Sequence, residues 1–147
     1  MNAPRIAGLA AAIVVGLGAV SFLYHRASMV PEPMELAELN RIARQLASDA
    51  RESQRLAALV ATGQVNEHYA KAQHEKLAED LGEARKKLDE PPPQGRAGDV
   101  KRMEALVERM NELLADAPSK TTDRAAMTAL AGEHGRIAAE LEQLARP

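Results

Sequence analysis

The sequence predicts an all-α protein: a single N-terminal transmembrane helix followed by an antiparallel four-helix bundle or two coiled-coil hairpins. Three observations predict this fold class. Residues 6–24 carry no charge, four later segments repeat apolar residues at intervals of three and four, and breaks containing glycine or proline separate those segments. Amphipathic helices with short connections must bury their stripes against one another, which favours a bundle.

The uncharged run of nineteen residues, 6–24, is the predicted transmembrane anchor. As a helix at ~1.5 Å per residue it spans about 28 Å, one bilayer crossing. Residues 1–5 form a short leader ending in Arg5. A cleaved signal peptide with its site at Ala19-Val20-Ser21 is the alternative, but the run continues through Phe22, Leu23 and Tyr24, beyond the length typical of a signal.

The cation balance across the anchor decides its orientation only weakly, because Arg5 on one flank is matched by Arg26 on the other. A five-residue leader is easily retained in the cytoplasm. We therefore expect a single-pass protein of the cell inner membrane with its domain outside, which is the periplasm if the source is a Gram-negative bacterium.

Within the anchor, Gly8, Ala12 and Gly16 recur every four residues and so share one face of the helix. Small residues at this spacing allow two helix backbones to approach closely, which predicts a homodimer through the membrane span. The alternative is that alanine and glycine are simply abundant in this segment.

A proline-containing spacer, residues 25–33, leads into an extramembrane helical domain, residues 34–147. The apolar periodicity predicts helices at about 34–61, 64–89, 99–117 and 122–145, with a linker at 90–98 that contains three consecutive prolines. Gly63 predicts the end of the first helix. Asp99 is the expected N-cap of the third helix, and the hydroxyls of residues 119–122 offer caps for the fourth.

Composition and motifs exclude several classes of function. The chain has no cysteine, so thiol catalysis and disulfides are absent. Its net charge of −2 and the single aromatic residue after position 24, Tyr69, argue against nucleic-acid binding. No phosphate-binding loop, metalloprotease motif or serine elbow occurs, so we expect no enzymatic activity.

Two histidines fall on the apolar stripes and are candidate metal ligands. His74 borders the stripe of the second helix, and His134 occupies a full position in the fourth, with Gly132 and Gly135 beside it removing bulk around the ring. In an up-down-up-down bundle these helices are parallel, so the two imidazoles could share a layer with Met103 and hold copper, zinc or haem iron. The alternative is that each histidine is a hydrogen-bonded packing residue.

Two functions remain. The first is a non-enzymatic scaffold or interaction protein that needs no cofactor and whose partners are the lipid bilayer and an unidentified protein. The second is a periplasmic ligand-binding or sensor bundle that holds a transition metal or b-type haem through histidine and methionine. The alanine-rich stripe of the first helix favours the first, since small residues suit close helix packing rather than a ligand cavity.

Overall fold

A computed structural model describes residues 32–146, and these form four α-helices with no strand in this range. The prediction of an all-α domain with four helices is confirmed. The helices are α1 (Leu36–Ala61), α2 (Glu67–Leu88), α3 (Ala97–Asp116) and α4 (Arg124–Leu144), and a short 3₁₀ helix, Ala117–Lys120, connects α3 to α4.

The predicted anchor at 6–24 and its dimer face of Gly8, Ala12 and Gly16 lie outside the described residues. Between residues 32 and 146, none of the helices is long and apolar enough to cross a membrane.

The first connection is stabilised by hydrogen bonds that the sequence partly predicts. Gly63 adopts φ +69° and its N–H donates to the carbonyl of Val60 at 3.0 Å, which ends α1. The helix α2 begins at Glu67 because the Asn66 side chain caps it, accepting a hydrogen bond from the Tyr69 N–H at 2.8 Å.

The caps predicted for the third and fourth helices are wrong. The helix α3 begins at Ala97, so Asp99 lies in its first turn and forms an ion pair with Arg96 at 3.0 Å. Acidic residues are favourable there because the first turn exposes unpaired N–H groups. The N-cap of α4 is Asp123, whose carboxylate accepts from the N–H of Ala126 at 3.0 Å, while Ser119 donates back to the carbonyl of Asp116.

Bonds between neighbouring helices show an up-down-up-down order. The Arg124 side chain at the start of α4 donates to the carbonyl of Ala61 at the end of α1, 2.9 Å away. Arg85 near the end of α2 pairs with Glu108 of α3 at 2.7 Å. Arg109 in the second half of α3 pairs with Glu133 in the first half of α4 at 2.7 Å. Met34, just before α1, donates to the carbonyl of Pro91, just after α2, so α1 and α2 are antiparallel as well.

Among the four described helices, α1 and α4 pack against each other most extensively. This contact closes the four helices into one bundle rather than two separate hairpins. Both helices contribute small buried residues: Ala43, Ala47, Ala50 and Ala57 from α1, and Ala131 and Ala138 from α4. Small side chains permit such close backbone approach.

The larger core side chains come from all four helices. They include Leu39 and Leu46 of α1, Leu81 of α2, Met103, Val107 and Met110 of α3, and Met127 and Leu141 of α4, each no more than 2% exposed. Met34, which precedes α1, is also buried, and its N–H donates to the carbonyl of Pro91 at 2.8 Å. The start of the bundle is thereby fixed to the connection between α2 and α3.

Candidate functional site

Four polar side chains are buried in the core of the described bundle: Asp49 and Ser53 of α1, His74 of α2 and His134 of α4. Burying a polar group costs free energy unless it is hydrogen-bonded, so each residue requires a physical account. Two of the four are the histidines that the sequence singles out. The other two histidines are not in this group: His68 is exposed, and His25 lies outside the described residues.

His134 is the most deeply buried of the titratable residues, with 1% of its surface exposed. Its Nδ1 has no hydrogen-bond partner among the described residues. Burial, helped by the charged form of His74 and opposed by Glu133, lowers the pKa of this imidazole to about 4. His134 is therefore a neutral imidazole at pH 7.

His74 is 6% exposed and lies beside Leu77 on the core face of α2. Burial lowers its pKa from the ordinary value, so it too favours the neutral form. One side of the ring borders a cleft of about 230 Å³ between α2 and α3, which Asn111 and Leu114 also line. His74 thus has a narrow route to solvent.

His74 of α2 lies within range of a Coulomb interaction with His134 of α4, because its charged form helps to lower the pKa of His134. The register of α1 and α4 brings a third polar residue near His134. Gln54 lies against Gly135, and because the two helices are antiparallel, the levels of Ser53 and His134 differ by about 3 Å at ~1.5 Å per residue. The Ser53 hydroxyl is already used, because it donates to the Asp49 carbonyl at 2.9 Å.

Asp49 is the buried polar residue that the sequence reasoning missed. Its Oδ1 accepts a hydrogen bond from Gln45 at 2.9 Å, whereas Oδ2 is buried without a partner within residues 32–146. Burial is the largest cause that raises the pKa of this carboxyl to about 6; the Gln45 hydrogen bond and Lys76 oppose the rise, and the charges of Asp80 and Glu52 contribute to it. The signal was present in the heptad spacing of Leu39, Ile42, Leu46, Ser53 and Leu56, in which position 49 completes the series.

The glycines beside His134 do not make room for its ring. A side chain at Gly132 would meet no atom within 4 Å, and one at Gly135 would meet the Gln54 amide. Gly135 therefore accommodates α1, and Gly132 faces open space.

Met103, the predicted third ligand, is not the residue of α3 nearest to the level of His134. The Arg109–Glu133 ion pair sets the register of α3 and α4, and it brings Val107 and Met110 nearest to the level of His134. Met103 lies farther along α3 by about 7 Å at ~1.5 Å per residue.

The donor groups that the core offers near this level are two imidazoles that favour the neutral form. Within residues 32–146, no group of three or more His, Asp or Glu side chains is arranged to hold a metal ion. The imidazole pair supplies two nitrogen ligands, fewer than the three protein ligands usual for catalytic zinc. Copper and haem iron accept two histidines or a histidine and a methionine, so those metals fit the donor set better.

Comparison with known proteins gives no match: no family model, no curated protein and no solved structure is significantly similar to the chain.

Proposed function

We propose that the chain is a membrane-anchored, non-enzymatic interaction protein whose helical bundle binds a protein partner outside the cytoplasm. The apolar run 6–24 supports the anchor, and the bundle supports the role in binding. The observation that carries the proposal is the α1–α4 contact, where small residues bring two backbones together and leave the interior filled by side chains.

The grooves of the bundle lie at its surface and are lined by both charged and apolar side chains. One of about 520 Å³ lies between α1 and α2, and one of about 540 Å³ lies between α3 and α4. In the second groove the charges pair with one another: Arg109 with Glu112 and Glu133, and Lys120 with Asp116. Exposed surfaces of this kind suit recognition of another protein rather than enclosure of a small substrate.

The anchor is tested by cell fractionation and topology reporters. We expect full-length protein in the membrane fraction, and a reporter that works only outside the cytoplasm should be active when fused after Pro147. A matched fusion of a reporter that works only in the cytoplasm should be inactive. A shortened, soluble product would show that residues 1–24 are a cleaved signal instead.

A second function, a bundle that binds a transition metal or haem, is favoured by the unpaired Nδ1 of His134 and its proximity to His74. If this site binds, Cu²⁺, Zn²⁺ or haem added to the purified full-length protein should raise its melting temperature. His134→Ala should abolish that gain and leave the helical circular dichroism unchanged, and exposed His68→Ala is the control. A melting temperature indifferent to all three additives would remove this candidate.

A further inference from the structure

One surface combines exposed cations, an aromatic ring and an apolar floor. This surface, the α1–α2 groove, lies between the second half of α1 and the first half of α2. The residues that line it include Arg51, Arg55, Leu56, Leu59, Tyr69 and Gln73. A second, smaller depression shares Leu59 and Tyr69 and continues the groove to Val65 in the connection between the helices. The groove is therefore long enough for a segment of several residues.

The floor of the groove is apolar and its aromatic wall is unusually exposed. Leu56 is buried, and Leu59 and Val65 are half-buried. Tyr69 is 49% exposed, and within residues 32–146 only Leu36 is a comparably exposed large hydrophobic residue. An exposed tyrosine over an apolar floor is a feature of protein-binding surfaces, where it contributes contact area at low entropic cost.

The rim of the groove on α1 is positively charged. Arg51 and Arg55 lie one turn apart, and Arg44 continues the same exposed face two turns earlier. Arg51 already pairs with Glu142 of α4 at 2.7 Å, whereas Arg44 and Arg55 form no ion pair within the described part of the chain. Glu52 is the acidic residue in the lining, and with Arg51 neutralised by Glu142, Arg44 and Arg55 leave an excess of one cation along this face of α1.

These features select the chemistry of an occupant. Guanidinium groups bind carboxylates in a bidentate geometry, and the leucines of the floor bind aliphatic side chains. The Gln73 amide and the Tyr69 hydroxyl can hydrogen-bond to a peptide backbone. We propose that the α1–α2 groove binds a short acidic peptide segment of the partner protein that carries at least one large aliphatic side chain.

A protein segment fits better than an anionic lipid surface, because the cations and the apolar floor line a concave groove rather than a flat, continuous basic face. The inference rests on the proposed function, and it names the chemistry of the partner.

The test uses the purified full-length protein in neutral detergent micelles and fluorescent twelve-residue peptides. The first peptide repeats glutamate and leucine at helical spacing. In the others, glutamine or lysine replaces every glutamate, or serine replaces every leucine. Fluorescence anisotropy should show binding of the glutamate–leucine peptide that weakens with added salt, and about tenfold weaker binding of each of the others.

Variants locate the binding in the groove. Arg55→Glu and Tyr69→Ala should each weaken binding of the glutamate–leucine peptide about tenfold without changing the circular dichroism spectrum, since both side chains are exposed. The matched control is Arg136→Glu, because Arg136 is an exposed arginine on α4 that forms no ion pair among residues 32–146 and does not line the groove.

Three results would overturn the proposal: no binding of the glutamate–leucine peptide at millimolar concentration, equal binding of the serine peptide, or equal losses from Arg55→Glu and Arg136→Glu. Dependence on Arg55 seen only with anionic phosphatidylglycerol vesicles would assign the face to lipid and overturn it as well. Photocrosslinking in the native membrane distinguishes rejection of the groove as the binding site from rejection of the proposed function. A partner crosslinked from α3 or α4 but not from position 69 would retain the interaction protein and reject the groove.

Discussion

Asp49 and His134 respond to acid in opposite directions over nearly the same pH range. The pKa of His134 is lowered from 6.5 to about 4, so the stability from its neutral, buried form is present above pH 6.5 and is lost as the pH falls towards 4. The pKa of Asp49 is raised from 3.8 to about 6, so its favourable protonated form is lost as the pH rises from 3.8 to 6. Each shift corresponds to about 3 kcal/mol.

Because these two contributions partly cancel in the native protein, removing either residue should make the free energy of unfolding depend more clearly on the other. Asp49→Asn should make the free energy of unfolding fall more steeply between pH 6.5 and 4.5, because the histidines then act alone. His74 acts in the same direction as His134, since burial also lowers its pKa. His134→Leu should flatten or reverse the slope. Urea denaturation at a series of pH values measures both, and exposed His68→Leu is the control.

Parallel slopes for native protein, Asp49→Asn and His134→Leu would contradict this account of the buried polar layer. The burial of Asp49 was not predicted from the sequence. A lone aspartate among arginines and glutamates looks like part of a solvated face, although its heptad position lies on the buried side of α1.

At the scale of the elements, the α1–α4 contact distinguishes two glycines that the sequence makes look alike. A Cβ at Gly132 would meet no atom within 4 Å, but a Cβ at Gly135 would lie 2.8 Å from the amide nitrogen of Gln54. The obstructing atoms are the far end of a flexible side chain, so Gln54 can move at some cost.

We therefore expect Gly132→Ala to raise the free energy of unfolding by about 0.5–1 kcal/mol through helix propensity alone. Gly135→Ala should raise the free energy of unfolding by less or not at all, because the cost of displacing the Gln54 side chain offsets the gain from helix propensity. In a Gln54→Ala background, Gly135→Ala should recover the gain. Urea denaturation curves of the four variants test this, and equal gains at both glycines in the native background would show that α1 and α4 are not in close contact at Gly135.

The helices themselves were largely predictable, because their stripes repeat by three and four and glycine or proline interrupts them. Their ends were less so. Asp99 and Asp123 are equally good capping residues by type, yet only Asp123 caps a helix, since a turn with Gly95 at φ +78° starts α3 earlier. The side chain alone does not determine a cap when the preceding backbone sets where the helix begins.

At the scale of the whole molecule, short connections predicted antiparallel neighbours, but they could not show that α1 meets α4. The choice between one bundle and two hairpins depends on which faces pack, and the first helix carries both a leucine stripe and an alanine stripe. The level of His134 against α3 was likewise beyond sequence, because counting residues from each helix start assumes that all helices begin at the same depth. The ion pair of Arg109 with Glu133 corrects that assumption.

Because an even number of antiparallel helices returns the chain to its starting side, residues 33 and 146 lie at the same end of the bundle. Tension applied between those two residues would pull on the first turn of α1 and the last turn of α4, which are antiparallel neighbours. The contacts between α1 and α4 would then break one pair of turns after another. In shear, by contrast, all the contacts along the two helices would carry the load together. The bundle should therefore resist less force when pulled from residues 33 and 146 than when the same two helices are loaded in shear.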